Sequence, residues 1–410
     1  FFFKQNTPYA ILSGLVGSEM CIRDRCSMFE LVNEYNQNAV IKVIGVGGGG
    51  GNAVMSMLES KIHGAEFILA NTDSQALRDI KGATMIQIGS EITKGLGAGA
   101  DPEKGREAAL EAKEELSSAI EGADMLFIAA GMGGGTGTGA ASVIAQIARD
   151  AGILTVAVVT KPYEFEGSKR MLHAEKGIEA LSEWVDSLIV IPNEKLAEVY
   201  GDDNSIFSSF ENANDVLRGA VKGIAEIITI RGFINVDFAD VKTVMSGRGK
   251  AMMGSGFATG EERADKAVQA AIDSPLLDNI DLRGASGVLV NITAGADLTS
   301  KEFSTIGERV KGIANENATV IIGCIKEEDN LGELRVTLIA TGFENQKAEG
   351  EENISIGDDT NPPAPNAVVG NVNPIPSSPG YNNVATSEDT IEKTSVDNID
   401  IPAFLRQQAD

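Results

Sequence analysis

The sequence predicts an α/β fold: a Rossmann-like domain on a parallel sheet, a long central helix, a second, smaller α+β domain with a mixed sheet, and a disordered acidic tail. Three observations predict it. Apolar, β-branched runs such as residues 125–130 and 153–159 read as strands buried on both faces, and they alternate with stretches of helical period, the pattern of parallel strands joined by crossover helices. Two glycine runs, Gly45-Val46-Gly47-Gly48-Gly49-Gly50-Gly51-Asn52 and Gly131-Met132-Gly133-Gly134-Gly135-Thr136-Gly137-Thr138-Gly139, each sit between such a strand and a helix. Beyond Glu344 the composition shifts to Asn, Pro, Ser, Gly and acids, with too few large apolar residues to order a chain.

Taken in order, residues 1–27 lack helical or strand period and the organisation of a signal peptide, so they are expected to be a non-native extension preceding a native start at Met28. Residues 28–204 form the sheet domain. It opens with a strand at 39–45, a glycine turn and a helix beginning near Ala53, then a short strand at 66–70. A glycine loop at 93–100 follows, and Asp101-Pro102 supplies the cap and first-turn proline of a helix running toward Ile120. After the strand at 125–130 come a helix at 140–149, a strand at 153–159, a helix after Arg170 and a strand at 187–192. The central helix occupies 205–230, with Val216, Ile224, Ile227 and Ile228 on its apolar face. The second domain, 231–343, combines helices at 261–272 and 301–314 with strands at 287–292, 318–325 and 334–340. Residues 344–399 read as a disordered linker. Residues 400–410 restore apolar anchors, as a peptide presented to partners does; a frayed end is the alternative.

The glycine runs carry the chemistry. Without Cβ atoms the backbone can fold closely around an anion, and a helix N-terminus adds unpaired N–H groups and the positive end of a dipole. A phosphate fits such a place, whereas a flexible linker would not lie between a buried strand and an amphipathic helix. The second run lacks the Lys-Ser/Thr ending of a Walker P-loop. The first satisfies G-x-G-x-x-G through Gly45, Gly47 and Gly50, with Asp73 near the distance of a ribose-binding acid, which offers the alternative of an NAD-dependent oxidoreductase. That match is weak, since five consecutive glycines satisfy many patterns, and it leaves the second run unexplained.

Other residues are candidates by type and spacing. Asn71-Thr72-Asp73 can offer oxygens to a ribose or phosphate, or form an Asx turn. The loop at 93–100 could close over a terminal phosphate. Glu166 and Arg170 could grip a ribose hydroxyl and a phosphate, or be a surface i,i+4 ion pair. The amide of Asn193 can donate and accept at once. Phe210 and Asn214, four apart on a helix, could present an aromatic plate and an amide edge to a purine. Asp237 and Asp240 stand with Asn235 before a helix, where acids usually cap; beside a phosphate and Mg²⁺ they could instead orient and deprotonate water.

With 410 residues, 43% of them hydrophobic, the chain can bury a sizeable core. A net charge of -25 argues against sequence-independent binding to nucleic acid or anionic lipid. No apolar run reaches the ~18 to 20 residues of a membrane span. Three cysteines, Cys21, Cys26 and Cys324, suggest neither a disulfide framework nor a zinc site and fit a reducing cytoplasm. The histidines, His63 and His173, read as surface or core residues.

The ordered set GVGGGGGN, NTD, GLGAGADP, AAGMGGGTGTGAA, the segment from Lys161 to Arg170, and NVDFADV resembles the tubulin/FtsZ family of GTPases from about Met28 to Phe343, and the resemblance resumes in DIPAFLRQQAD. It implies GTP or GDP at the end of the first sheet. Gly48, Gly49, Gly50, Gly51 and Asn52, with Gly135, Thr136 and Gly137, would surround the phosphates; Asn71, Glu166 and Arg170 would serve ribose or phosphate; Asn193, Phe210 and Asn214 would serve guanine. It implies further that Asn235, Asp237 and Asp240 come from the next copy in a head-to-tail polymer and complete hydrolysis, with Mg²⁺ on the nucleotide and a monovalent cation. Residues 400–410 would bind membrane-tethering division proteins such as FtsA and ZipA, in the cytoplasm at the mid-cell division ring.

Overall fold

The fold comes from a computed structural model, which describes residues 39–343 apart from 61, 63, 79, 201–204, 231, 235, 248, 278–283, 316 and 328–331. The expected extension at 1–27, the linker, the terminal peptide, His63 and Asn235 lie outside the described residues.

The first half alternates as its apolar runs require: β1 (Ile41–Val46), α1 (Gly47–Glu59), β2 (Ala65–Asn71), β3 (Thr84–Gln87), the single turn α2 (Ser90–Thr93), α3 (Pro102–Glu111), α4 (Lys113–Ile120), β4 (Met125–Gly131), α5 (Thr136–Asp150), β5 (Leu154–Lys161), α6 (Ser168–Ser182), β6 (Ser187–Pro192) and α7 (Asn193–Tyr200). These strands pair in parallel in the order β3-β2-β1-β4-β5-β6. In β4, Met125, Phe127 and Ala129 enter one core while Leu126, Ile128 and Ala130 enter the other, so the period of two splits a continuous apolar run between two helical layers. The helix expected to run toward Ile120 is two, parted at Ala112; Asp101 caps α3 by accepting from Glu103 N.

The long helix α8 (Ile206–Thr229) is followed by α9 (Phe238–Met245), β7 (Lys250–Thr259), α10 (Arg263–Ile272), β8 (Gly287–Ala294), α11 (Ser300–Ile313), β9 (Thr319–Lys326) and β10 (Glu333–Thr341). β7 is antiparallel to β10, β10 to β8, and β8 is parallel to β9, the expected mixed sheet. Sequence reasoning passed over β7 because Gly254 and Gly256 lower its strand propensity; they are there so that α10 can lie on the strand, since a Cβ at either would run into the carbonyl of Ala271 or Ala267. Through β7 the two sheets become one of ten strands, but β6 meets β7 at only two register positions, Leu188↔Lys250 and Ile189↔Ala251. α8 adds to the junction, its Ala213, Leu217, Val221 and Ile224 sharing a core with Met253, Leu289, Ile325 and Ile339 from the second half, and Ser187 Oγ of β6 donates to Met245 O at 2.6 Å.

The second half is clamped by Arg263, 5% exposed. Its guanidinium donates to Glu302 at 2.6 Å and to Asp297 at 2.6 Å, and Glu302 also accepts from Thr299 at the start of α11. These hydrogen bonds, that of Arg263 first, hold the Glu302 carboxyl down to about 2. The folded value lies below the unfolded 4.5, so the stabilisation is complete above pH 4.5 and is lost as pH falls through about 2. We expect Glu302→Gln to remove on the order of 1–2 kcal/mol of the acid-dependent loss of stability in that window, after allowance for solvent screening. Urea unfolding of both proteins from neutral pH down to pH 2 checks it; parallel profiles would refute the clamp.

Candidate functional site

β1 and β4 are neighbours with Gly45↔Ala129 and Val46↔Ala130 in register, yet their following helices go to opposite faces, α1 into one core and α5 into the other. A sheet divides at such a point and leaves a crevice beyond the strand ends. A cavity of about 390 Å³ lies there.

The first glycine run is not the loop that its composition suggests, whereas residues 132–135 of the second are turn and bend. α1 begins at Gly47 and α5 at Thr136, so the glycines of the first run build the first turn of α1, and neither helix has a side-chain cap. Glycine is a poor helix former, and tertiary packing overrides it here. A Cβ on Gly50 would run into the Ala129 carbonyl, and Gly47 sits at φ +70, a left-handed conformation that favours glycine. Two uncapped helix N-termini thus converge at one cavity, and first-turn N–H groups with two aligned dipole ends favour an anion. Thr72 Oγ1 and Thr136 Oγ1 share a hydrogen bond of 2.6 Å that ties the end of β2 to the start of α5, and Thr138 Oγ1 accepts from Gly133 N at 2.9 Å, fixing the turn before it.

The cavity gathers most of the sequence candidates: Gly48, Gly49, Asn52, Gly135, Thr136, Gly137, Glu166, Arg170, Asn193, Phe210 and Asn214 all line it. Gly50, Gly51 and Asn71 do not. Gly50 is spent on packing against β4, while Asn71 is 6% exposed and its Oδ1 accepts from Asp73 N at 3.2 Å, an Asx turn. Glu166 and Arg170 are both an i,i+4 ion pair, at 2.5 Å, and part of the wall. Sequence reasoning missed Thr160 and Pro162 at the end of β5, and Ala213 and Leu217. The last two were findable, since 210, 213, 214 and 217 share one face of a helix.

Asn193 begins α7 and is 5% exposed, and its Oδ1 has no hydrogen-bond partner. A sealed acceptor without a donor costs about 1–3 kcal/mol, which a ligand N–H reaching it would relieve. Phe210, 41% exposed, stands near the start of α8 with Asn214 one turn on.

The acids lie elsewhere. From Phe210 to Thr229 the helix rises about 28 Å. Beyond it Phe233 N and Ile234 N both donate to Cys324 O, pinning the loop to β9. Asp237 occupies the N-cap position of α9 without making a cap hydrogen bond, Asp240 is in the first turn, and both are exposed. Among the described residues from 232–245, none lines the cavity. Asp73 also stays out of it: its Oδ1 accepts from Gln75 N, so the oxidoreductase alternative loses its ribose acid.

Comparison with known proteins agrees with this geometry. Residues 40–201 match the Tubulin/FtsZ family, GTPase domain, and residues 249–344 the FtsZ family, C-terminal domain. Cell division protein FtsZ of Azotobacter vinelandii is 52% identical over 402 residues, covering 93% of this chain and 100% of that protein. That of Pseudomonas aeruginosa is 52% identical over 397 residues with the same coverage. Among solved structures, the empty FtsZ dimer of M. jannaschii matches with a TM-score of 0.72 at 44% identity, covering 78% of this chain and 92% of that one. With both domains matched and half of all positions identical over nearly the whole length, the chain belongs to the Tubulin/FtsZ family.

Proposed function

We propose that this chain binds GTP in the cavity between α1 and α5 and hydrolyses it when a second copy brings its acids to the terminal phosphate, the copies stacking head to tail into the filament of the division ring. Family membership makes it a cell-division GTPase of the tubulin-like cytoskeleton. In the finer reading, residues 28–204 hold the nucleotide, 205–230 link, and 231–343 activate hydrolysis in the neighbour. The first turns of α1 and α5 take the phosphates, Glu166 and Arg170 the ribose and phosphate, and Asn193, Phe210 and Asn214 the base.

One observation carries the choice of base: the orphaned Oδ1 of Asn193 in the cavity wall. Guanine offers adjacent N1–H and N2–H donors to such an acceptor, where adenine presents the acceptor N1. Asp237 and Asp240, exposed and uncommitted to capping, are free to polarise water across a contact, with Asn235 orienting it. Carboxylates beside a triphosphate need counter-charge. Mg²⁺ carried by the phosphates is the proposed counter-ion, with a monovalent cation as a further one. Since the acids stand a helix-length from their own cavity, one copy cannot supply both halves of the chemistry, which couples assembly to phosphoryl transfer.

No described helix is long and apolar enough to cross a membrane. Residues 400–410 are the proposed link to membrane-tethering division proteins such as FtsA and ZipA, at mid-cell on the cytoplasmic side.

Asn193→Leu should weaken GTP binding about tenfold or more, the cost of losing a buried polar contact, while ATP stays weak; equal GTP affinity in calorimetry would refute the base assignment. Asp240→Ala should keep GTP affinity and lose most turnover. In the unaltered protein, phosphate release per molecule should rise from near zero above a threshold concentration. Constant specific activity down to the most dilute sample would sink subunit-completed hydrolysis.

A further inference from the structure

One short stretch beside the cavity touches two residues of its wall and the neighbour of a third. Tyr163 follows Pro162, is 3% exposed and does not line the cavity. Its N–H donates to Glu166 Oε1 at 2.9 Å, and the other oxygen of that carboxylate accepts from Arg170. Its hydroxyl donates to Ser209 O at 3.1 Å, the carbonyl directly before Phe210. Its ring meets Phe210 edge to face with centroids 5.6 Å apart, and Phe165 stacks on it at 5.0 Å. The next residue, Glu164, donates its N–H to Glu194 Oε2 at 3.2 Å, one position beyond Asn193. Burial pushes the phenol pKa up, so at neutral pH the hydroxyl stays a donor.

Resting on the nucleotide reading above, we propose that Tyr163 is a positioning residue for the nucleotide: it braces the Glu166 carboxylate on the ribose side and the Phe210 ring on the base side against each other. Phe210 is 41% exposed near the start of α8, where a helix end frays and an unbraced ring would sample several rotamers. The hydroxyl fixes the backbone that carries this ring, and the aromatic edge fixes its tilt. The N–H meanwhile holds Glu166 toward Arg170. The hydroxyl and ring act on the base side alone, through Ser209 O and Phe210, whereas the contact with Glu166 is made by the backbone N–H, which a side-chain substitution leaves in place.

The test uses the full chain below its assembly threshold and two probes, GTP and inorganic tripolyphosphate, the latter lacking ribose and base. Tyr163→Phe keeps the ring and should fold as the parent does. It should weaken GTP about three- to tenfold, the effect of one lost hydrogen bond, and leave tripolyphosphate affinity unchanged. In assembled protein the loss should fall on KM rather than kcat. In a Phe210→Leu background, Tyr163→Phe should weaken GTP no further, because the hydroxyl acts through that ring. Unchanged GTP affinity in Tyr163→Phe, a parallel loss of tripolyphosphate, or additive effects in the double variant would each overturn the brace. A parent that binds GTP no better than tripolyphosphate would overturn the nucleotide reading itself, whereas a parent that prefers GTP isolates any failure to Tyr163.

Discussion

The structure depends on how closely two backbones approach at the ends of β1 and β4. The first turn of α1 lies against the Ala129 carbonyl at Gly50, and Gly137 of α5 comes against the backbone of Gly131 and Val46. Any side chain at these points would push a helix away from the sheet. The helix starts would then no longer face the same crevice, and their N–H groups would be solvated separately. The cavity is therefore a packing result before it is a binding site, and its affinity for an anion follows from backbone left without side-chain caps.

α8 converts this local arrangement into a property of the whole molecule. Its beginning supplies Phe210, Ala213, Asn214 and Leu217 to the cavity, its middle is buried against both sheets, and its end delivers the chain to the acidic turn at Asp237. Asn291 Nδ2 donates to Gly223 O at 3.0 Å, a buried polar link from β8 to the helix at mid-length. In the proposed reading, phosphate-side and water-side chemistry sit toward opposite ends of this one helix. A molecule built this way has two unlike faces, which suits heterologous stacking and not a closed two-fold pair.

Much of this was legible in the sequence. β-branched runs marked β4 and β5, Asp101-Pro102 marked the start of α3, and the 3.6 period marked α8. What was illegible has a common cause: glycine reports a close approach without saying to what. The same residue type read as loop at 47–51, where it is helix, and hid β7, where Gly254 and Gly256 make room for α10. Gly50 and Gly51 therefore could not be told from Gly48 and Gly49, although only the latter pair line the cavity. Asn71 was open between two uses of its amide until its partner, Asp73 N, was visible. Tyr163 gave no signal, because a buried brace between Pro162 and Glu164 has the composition of an ordinary turn.

The two-residue ladder between β6 and β7 has a thermal consequence. Few backbone bonds cross there, and the apolar flank of α8 shares the joint with buried hydrogen bonds from Ser187 Oγ to Met245 O and from Asn291 Nδ2 to Gly223 O. Apolar attraction is driven by water and fades on cooling, whereas hydrogen-bonded strand pairing does not share that dependence. Chilling therefore weakens the apolar share of this joint and shifts the load onto the buried hydrogen bonds that cross it.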